Sequence, residues 1–258
     1  MKELKRILSY TRRAVDDYGM IEDGDKIAVG ISGGKDSLTL LYALAHLRIF
    51  YPKKFELCAI TVDMGFEGAD FSAVSALCEQ LGVEYKIIPT QISKIIFDVR
   101  KESNPCSLCA KMRRGAIHSS AVELGCNKVA LGHHFDDVVE TFMLNLFFEG
   151  RLGCFRPVTY LSRTGITLIR PMIYMPEKDI RYFASKAELP VIKSPCPADG
   201  NTEREEMKQL IAKLDRENKG LRYRIFGAIQ RGEIDGFKEC GKMDGMKAYD
   251  NDVLPYEE

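Results

Sequence analysis

Lys26-Ile-Ala-Val-Gly-Ile-Ser-Gly-Gly-Lys-Asp-Ser37 runs straight into Leu38-Thr-Leu-Leu-Tyr-Ala-Leu44. A short apolar β-type run stops at two glycines, flanked by Ser32 on one side and Asp36-Ser37 on the other. A helix-type apolar run follows. The order describes a strand, a tight loop and a helix N-terminus. Unpaired backbone N–H groups and the positive end of a helix dipole converge at such a loop, so it suits an anion such as pyrophosphate. Glycine lets the phosphate approach the backbone and accepts the positive φ that a tight turn needs.

The stretch is not a Walker A loop: only three residues separate Gly30 from Gly34, and Asp36 follows Lys35. The Gly-x-Gly-x-x-Gly dinucleotide fingerprint is absent as well. Ser32-Gly33-Gly34-Lys35-Asp36-Ser37 instead resembles the PP-loop of ATP pyrophosphatases, which cleave ATP to AMP and pyrophosphate. The resemblance implies that these six residues hold ATP.

The 258 residues suffice for one large α/β domain, or a core domain with an appendage. Lys+Arg and Asp+Glu both number 37, so the total charge calls for no polyanion, and any nucleic-acid site must be a local patch. Met1–Arg13 has no apolar core of signal-peptide type, and Leu38–Leu47 is too short to span a bilayer. The expectation is a cytoplasmic chain with no membrane partner. Its eight cysteines are then buried thiols, metal ligands or redox groups rather than a disulfide framework.

Strand and helix signals alternate along the chain. Leu4, Ile7, Leu8, Thr11, Val15 and Tyr18 share one helical face, with Lys5, Arg6, Arg12 and Arg13 opposite. Strands are predicted at 26–31, 56–62, 83–88 and 128–131, and helices at 37–50, 69–81, 111–124 and 136–148. Residues 158–169 read as a hairpin; 177–186, 202–215 and 221–230 read as helices. Thr202 and Glu205 have capping-box spacing, and the stretch from Gly232 reads as a poorly packed tail. This alternation predicts a doubly wound parallel sheet covered on both faces, with a helical C-terminal appendage. The segments expected are an N-terminal helix (1–25), a nucleotide-binding domain (26–195) and a C-terminal helical segment with a tail (196–258). Ligands of such sheets sit beyond the carboxyl ends of the strands. Ser32-Gly33-Gly34, Asp63-Met-Gly65 and Gly132-His133-His134 should therefore line one crevice.

Pro105-Cys106-Ser-Leu-Cys109 opens the helix that carries Lys111, Arg113 and Arg114. In a cytosolic enzyme, C-x-x-C means a redox dithiol, half a zinc site or an iron–sulfur ligand pair. Cys196 lies between two prolines, a poor place for a packing cysteine. With Cys106 and Cys109 it makes a set of three, enough for a cubane cluster with one open iron, or for zinc with one added His. Cys58 and Cys78 fall in apolar runs and read as core, while Cys126, Cys154 and Cys240 have no partner at diagnostic spacing. Leu131-Gly-His-His-Phe-Asp-Asp137 ends a strand and begins a helix. Two Asp at a helix start are favoured by capping and dipole alone. Beside a nucleotide loop, Gly132, His133, Asp136, Asp137 and the strand-end Asp63 are better read as contacts to ATP, Mg²⁺ or the reacting base.

Ser32–Ser37, Cys106-x-x-Cys109 followed by Arg113-Arg114-Gly115, and Leu131-Gly-His-His-x-Asp-Asp137 occur in the order and setting of the tRNA 2-thiocytidine synthetase family, which the chain resembles over residues 1–215. Ile169-Arg-Pro-Met172 and Glu177-Lys-Asp-Ile180 are similar to that family too. The resemblance implies an adenine-nucleotide alpha-hydrolase-like fold and an ATP-dependent tRNA thiolase that replaces the C2 oxygen of cytidine 32 with sulfur. It also implies a [4Fe-4S] cluster on three cysteines, Mg²⁺ with the ATP, and a sulfur donor (a cysteine desulfurase or free sulfide); a homodimer stays open. Asp36, Asp63, His133, Asp136 and Asp137 are the catalytic candidates. Arg12, Arg13, Lys111, Arg113 and Arg114 are the candidate tRNA contacts. Where the family shows Pro-Cys-x-x-Cys, this chain has Pro195-Cys196-Pro-Ala-Asp199, so the third cluster ligand is Cys196 or Asp199. The alternatives are a 2-thiouridine or lysidine synthetase, or a nucleotide sensor without catalysis. Cys106 and Cys109 count against lysidine chemistry, which needs no thiols.

Overall fold

β1 (Asp25–Ile31) lies inside a six-stranded sheet of order β3-β2-β1-β4-β6-β5. β2 (Phe55–Asp63), β3 (Glu84–Pro89), β4 (Lys128–Ala130) and β6 (Ile166–Ile169) run parallel to it, and β5 (Val158–Leu161) pairs antiparallel with β6 as the expected hairpin. The computed structural model describes residues 2–100, 105–192, 196 and 203–240. Described residues up to His134, with those from Val158 to Cys196, form one compact unit, and Phe135–Pro157 with the described residues from Glu203 onward form a second.

In the first unit, α2 (Lys35–Phe50) buries Leu38, Leu40, Leu41, Ala43, Leu44 and Leu47, so it is apolar nearly all round, as a helix inside a core must be. α1 (Lys2–Asp17) is instead amphipathic and buries only Ile7, Thr11, Ala14 and Val15; it packs on α2 and on α7 (Glu177–Lys186). From β1 the chain winds outward through α2, β2, α3 (Ser72–Gln80) and β3, then returns to place β4 on the other side of β1. The two windings diverge between β1 and β4, the position at which open α/β sheets take their ligands.

The sequence reading and the structure differ at edges. β3 is not covered on both faces: Glu84, Lys86 and Ile87 are exposed, because it is an edge strand and its charges discourage further pairing. α3 begins at Ser72 rather than Ala69, because the Asp70 carboxylate accepts the Ser72 N–H at 2.8 Å and makes a turn there. α4 (Ile92–Lys94), continued by a π-helical turn (Ile95–Val99), was not expected; Ile92 and Ile96, one turn apart, bury against Val62. α5 (Pro105–Glu123) begins six residues before Lys111, so the C-x-x-C pair lies within its first turns.

In the second unit, α6 (Phe135–Phe148) packs against α8 (Glu203–Glu217) and α9 (Leu221–Arg231). Phe135 meets Tyr223 and Phe226, with ring centroids 5.0 and 4.8 Å apart. The stretch after Gly232 is better packed than its composition suggests: a 3-10 turn (Ile234–Gly236) brings Phe237, 1 % exposed, edge-on to Phe226. Thr202 and the rest of the tail, 241–258, lie outside the described residues.

At the amino end of the sheet, Asp25 is buried and meets Lys128 Nζ at 2.7 Å, while its other carboxylate oxygen accepts Asn127 Nδ2 at 2.7 Å. Burial pushes the Asp25 carboxyl up, but these bonds, with the Glu22 N–H, outweigh it and hold the group below its ordinary range. Asp25→Asn leaves the Lys128 ammonium buried without its counter-ion, held only by neutral partners such as the Met20 carbonyl at 2.9 Å, and should cost about 3 kcal/mol by denaturant midpoint at pH 7. A lowered carboxyl stabilises the fold above its unfolded pKa and loses that effect as pH falls. The gap between wild type and variant should therefore close below about pH 4.

Candidate active site

The Ser32–Ser37 loop is held by its own hydroxyls. Ser37 Oγ accepts the Ser32 N–H at 3.1 Å and donates to the Gly34 carbonyl at 3.0 Å, and Ser32 Oγ accepts the Gly34 N–H at 3.3 Å. Gly33 sits at φ +82°, where a side chain would be strained, and an added Cβ would stand 3.1 Å from Ile192 Cβ. The Gly33 carbonyl accepts the Ile192 N–H at 2.9 Å. Gly34 caps α2 without any side-chain oxygen, so the loop offers main-chain N–H groups at the positive helix end.

Lys35 Nζ lies 3.1 Å from Asp36 Oδ2 and 3.1 Å from Glu177 Oε1. Burial alone would lower the Lys35 pKa, but the two carboxylates raise it above the ordinary value and keep the ammonium charged. Asp36 Oδ1 is buried with no hydrogen-bond partner, 3.8 Å from His134 Nε2. An orphaned carboxylate oxygen beside a phosphate loop suits a magnesium ion carried in with the nucleotide. Gly132, at the end of β4, allows this geometry: a Cβ there would stand 3.2 Å from both the Asp36 carbonyl carbon and the Ser37 nitrogen.

His133 Nδ1 lies 3.2 Å from Arg170 Nε, at the end of β6, and Arg170 Nη1 reaches Thr159 Oγ1 at 3.4 Å. Asp63 ends β2, with Oδ1 on the Gly65 N–H at 2.9 Å and its carbonyl on Thr90 Oγ1 at 2.7 Å. β1, β2 and β4 are parallel neighbours, so Ser32–Gly34, Asp63 and Gly132–His134 do emerge at one edge of the sheet. Arg170 and Glu177 fell within quoted motifs but drew no role from sequence. A charge in an otherwise apolar strand-end or helix-start segment was the available signal.

Cys109, on α5, packs with Leu108 and Met112 against Val62, Ile92 and Ile96. Burial pushes its thiol up; Arg113 opposes this, and Cys196 and Cys106 are close enough to add to it. The structure thus brings Cys196 to the C-x-x-C pair. Asp199 lies outside the described residues. No group of three His, Cys, Asp or Glu among the described residues has single-ion spacing. A cubane spreads its ligands over separate irons, so its three thiolates stand farther apart than ligands sharing one ion. The soft sulfur donors, with Cys109 set among apolar side chains, fit such a cluster. None of the eight cysteines is in a disulfide; Cys58 and Cys78 are buried as expected, and Cys126 proves to lie 3.3 Å, Sγ to Sγ, from Cys58.

The basic candidates fall on two helices. On α1, Arg12 pairs with Asp16 at 3.3 Å, and Arg13 pairs with Asp17 at 3.5 Å and covers the Tyr174 ring. On α5, Lys111 and Arg114 are exposed, and Arg113 is half-buried beside Cys109. His118 is held below its ordinary pKa by burial and by the Arg114 and Arg163 charges.

In the second unit, Asp136 is ion-paired with Arg222, and Asp137 lies 3.1 Å from Arg204. Glu140, one turn along α6, is buried with Oε1 unpartnered. Burial and then the Asp137 charge push its carboxyl up to about 7, against the pull of Lys208 and Arg204. Its spacing from the Asp pair, on an apolar helix, was a sequence signal not used.

Residues 5–214 match the PP-loop domain family. A tRNA-cytidine(32) 2-sulfurtransferase of Geobacter sulfurreducens is 40% identical over 228 residues, 87% of this chain and 89% of that protein. The chain belongs to the tRNA 2-sulfurtransferase family of PP-loop enzymes. The Cupriavidus metallidurans tRNA-cytidine(32) 2-sulfurtransferase is 39% identical and is matched over 96% of this chain and 82% of its own length. Among solved structures, the U34-tRNA thiolase NcsA from Methanococcus maripaludis, with its [4Fe-4S] cluster, superposes with a TM-score of 0.71 at 30% identity, over 86% of this chain and 77% of that one. No helix among the described residues is long and apolar enough to cross a membrane.

Gly132→Ala should weaken ATP binding at least tenfold by calorimetric titration and cost about 1–3 kcal/mol of stability, since its methyl meets backbone that cannot yield. Glu140→Gln should act in the opposite sense on stability. A carboxyl raised on folding withdraws stability as pH climbs from about 4 toward 7. The variant should match wild type near pH 4 and exceed it by about 2 kcal/mol at pH 8, read by denaturant midpoints.

Proposed function

We propose that this chain is an ATP-dependent tRNA sulfurtransferase that thiolates C2 of cytidine 32. The observation that carries the reading is the Lys35–Asp36–Glu177 arrangement in a phosphate loop at the sheet's switch point, in a chain that also gathers Cys106, Cys109 and Cys196. Oxide is too poor a leaving group to be displaced from an amide-like C2. The cytosine oxygen attacks the α-phosphorus of ATP, the bond to the β-phosphate oxygen breaks, and pyrophosphate departs. Loop N–H groups and Lys35 stabilise the charge that gathers on the phosphates. Asp36 would hold a magnesium ion carried in with the nucleotide, where it would offset phosphate charge, and Asp63 and His133 contact the nucleotide or the base from the neighbouring strand ends. When bound, a [4Fe-4S] cluster on the three thiols supplies a thiophilic iron for the incoming sulfur. Sulfide addition at C2 and departure of AMP complete the exchange.

The reacting base must leave the anticodon stem-loop to reach both groups, so the protein has to grip phosphates. Lys111, Arg113 and Arg114 are the stronger contacts, since Arg12 and Arg13 already have acidic neighbours. Free sulfide supplies the sulfur directly, or a cysteine desulfurase supplies it as a persulfide from which a thiol reductant releases sulfide. Forty per cent identity to cytidine-32 enzymes, against 30% to a U34 thiolase, favours cytidine over uridine.

The test is anaerobic turnover of the reconstituted protein with unmodified tRNA, ATP and sulfide. One 2-thiocytidine should appear for each AMP and pyrophosphate. ADP with orthophosphate would overturn the phosphate chemistry. Unchanged 2-thiocytidine in tRNA from cells lacking the protein would overturn the substrate.

A further inference from the structure

We propose that buried Arg170 fixes His133 as the Nε2–H tautomer, making it a neutral hydrogen-bond donor to an anionic oxygen of the nucleotide and not a general base. The inference rests on the ATP reading above and assigns a chemical role within it.

A guanidinium has donors only and stays charged at any working pH. Arg170 Nε lies 3.2 Å from His133 Nδ1, so the attractive arrangement is Nε–H donating to the Nδ1 lone pair. The ring proton must then sit on Nε2. A doubly protonated ring would set N–H against N–H and cation against cation. Arg170 is only 7 % exposed, and its Nη1 donates to Thr159 Oγ1 on β5 at 3.4 Å. The sheet itself sets the approach: Ala130 pairs with Ile169, Leu131 N–H donates to the Ile169 carbonyl at 3.0 Å, and His134 bridges Met172. Register between β4 and β6 therefore carries the guanidinium to the imidazole.

The reaction chemistry points the same way. The nucleophile of the first step is a carbonyl oxygen, which carries no proton to remove, so a base at His133 would have nothing to do in that step. Charge instead builds on the non-bridging oxygens of the α-phosphate, where a fixed N–H donor is effective. Arg170 is thus a positioning residue acting through His133.

Two measurements test this. The chain has four histidines, so long-range ¹H–¹⁵N spectra of the holoprotein without ATP or tRNA resolve each ring, with His133→Gln giving the assignment. His133 should show a single Nε2-protonated pattern, lost to a tautomer mixture in Arg170→Leu or, if that variant folds poorly, Arg170→Gln. A wild-type Nδ1-protonated or imidazolium pattern would overturn the proposal, as would an unchanged pattern in the variant. Second, tRNA-dependent pyrophosphate release should fall about 100-fold or more in His133→Ala but less than tenfold in His133→Gln, which keeps an N–H donor and no base. Equal losses would overturn the donor role. The spectra report the tautomer whatever the enzyme's substrate, so failure of the tRNA reading would leave them standing.

Discussion

The site depends on one close approach, that of the turn after β4 to the N-terminus of α2. A Cβ added at Gly132 would stand 3.2 Å from the Asp36–Ser37 backbone, tighter than an ordinary contact. That contact brings the histidine pair within reach of the phosphate loop and sets His134 Nε2 3.8 Å from an otherwise unpartnered carboxylate oxygen. It exists because β1 and β4 are neighbours at the point where the chain's two windings part, so the turns that follow them leave the sheet side by side. Polar groups gathered there cannot be satisfied by the sheet's own ladder. They wait for a ligand or pair with one another.

The charges beside the loop show how those demands are met. Lys35 is shared between Asp36 and Glu177, and Glu177 also meets Arg181 at 3.2 Å. Half-buried pairs of this kind add little to stability once desolvation is counted. Their effect is to fix the ammonium in one place, charged, before any phosphate arrives. Such preorganisation is what lets an electrostatic site act without rearranging during the reaction.

Much of this was legible in the sequence, for local reasons. Apolar runs of strand length ended at Gly-rich or His-rich turns, and each turn was followed by a helix pattern; α7 was found to the residue. The boundaries that slipped were set by single contacts invisible in periodicity, such as the Asp70 carboxylate that delays α3. The phosphate loop and the C-x-x-C pair announced themselves because their chemistry depends on residues close in sequence. Arg170 and Glu177 did not, because each acts on a partner more than thirty residues away or on another helix. Distance along the chain hides a buried ion pair as it hides the Cys58–Cys126 contact, which spans 68 residues.

The two chemistries of the chain are held by different kinds of structure. The Ser32–Ser37 loop and the polar groups beside it stand at strand ends and a helix start, fixed by the sheet. Two of the thiols lie in the first turns of α5, where Cys109 packs on Val62 near the end of β2 and Cys106 is exposed. The third lies only four residues beyond Ile192, whose N–H is bound to the Gly33 carbonyl of the phosphate loop. A main-chain bond therefore ties the loop that takes the phosphates to the strand of chain that brings Cys196. Sulfur transfer requires the activated C2 to face the sulfur before water reaches it. The bond joins the nucleotide loop to the segment that leads toward the third thiol, a link between the two sites that no pairing within the sheet provides, and it is by holding reagents in fixed relation that a protein turns an encounter into a first-order step.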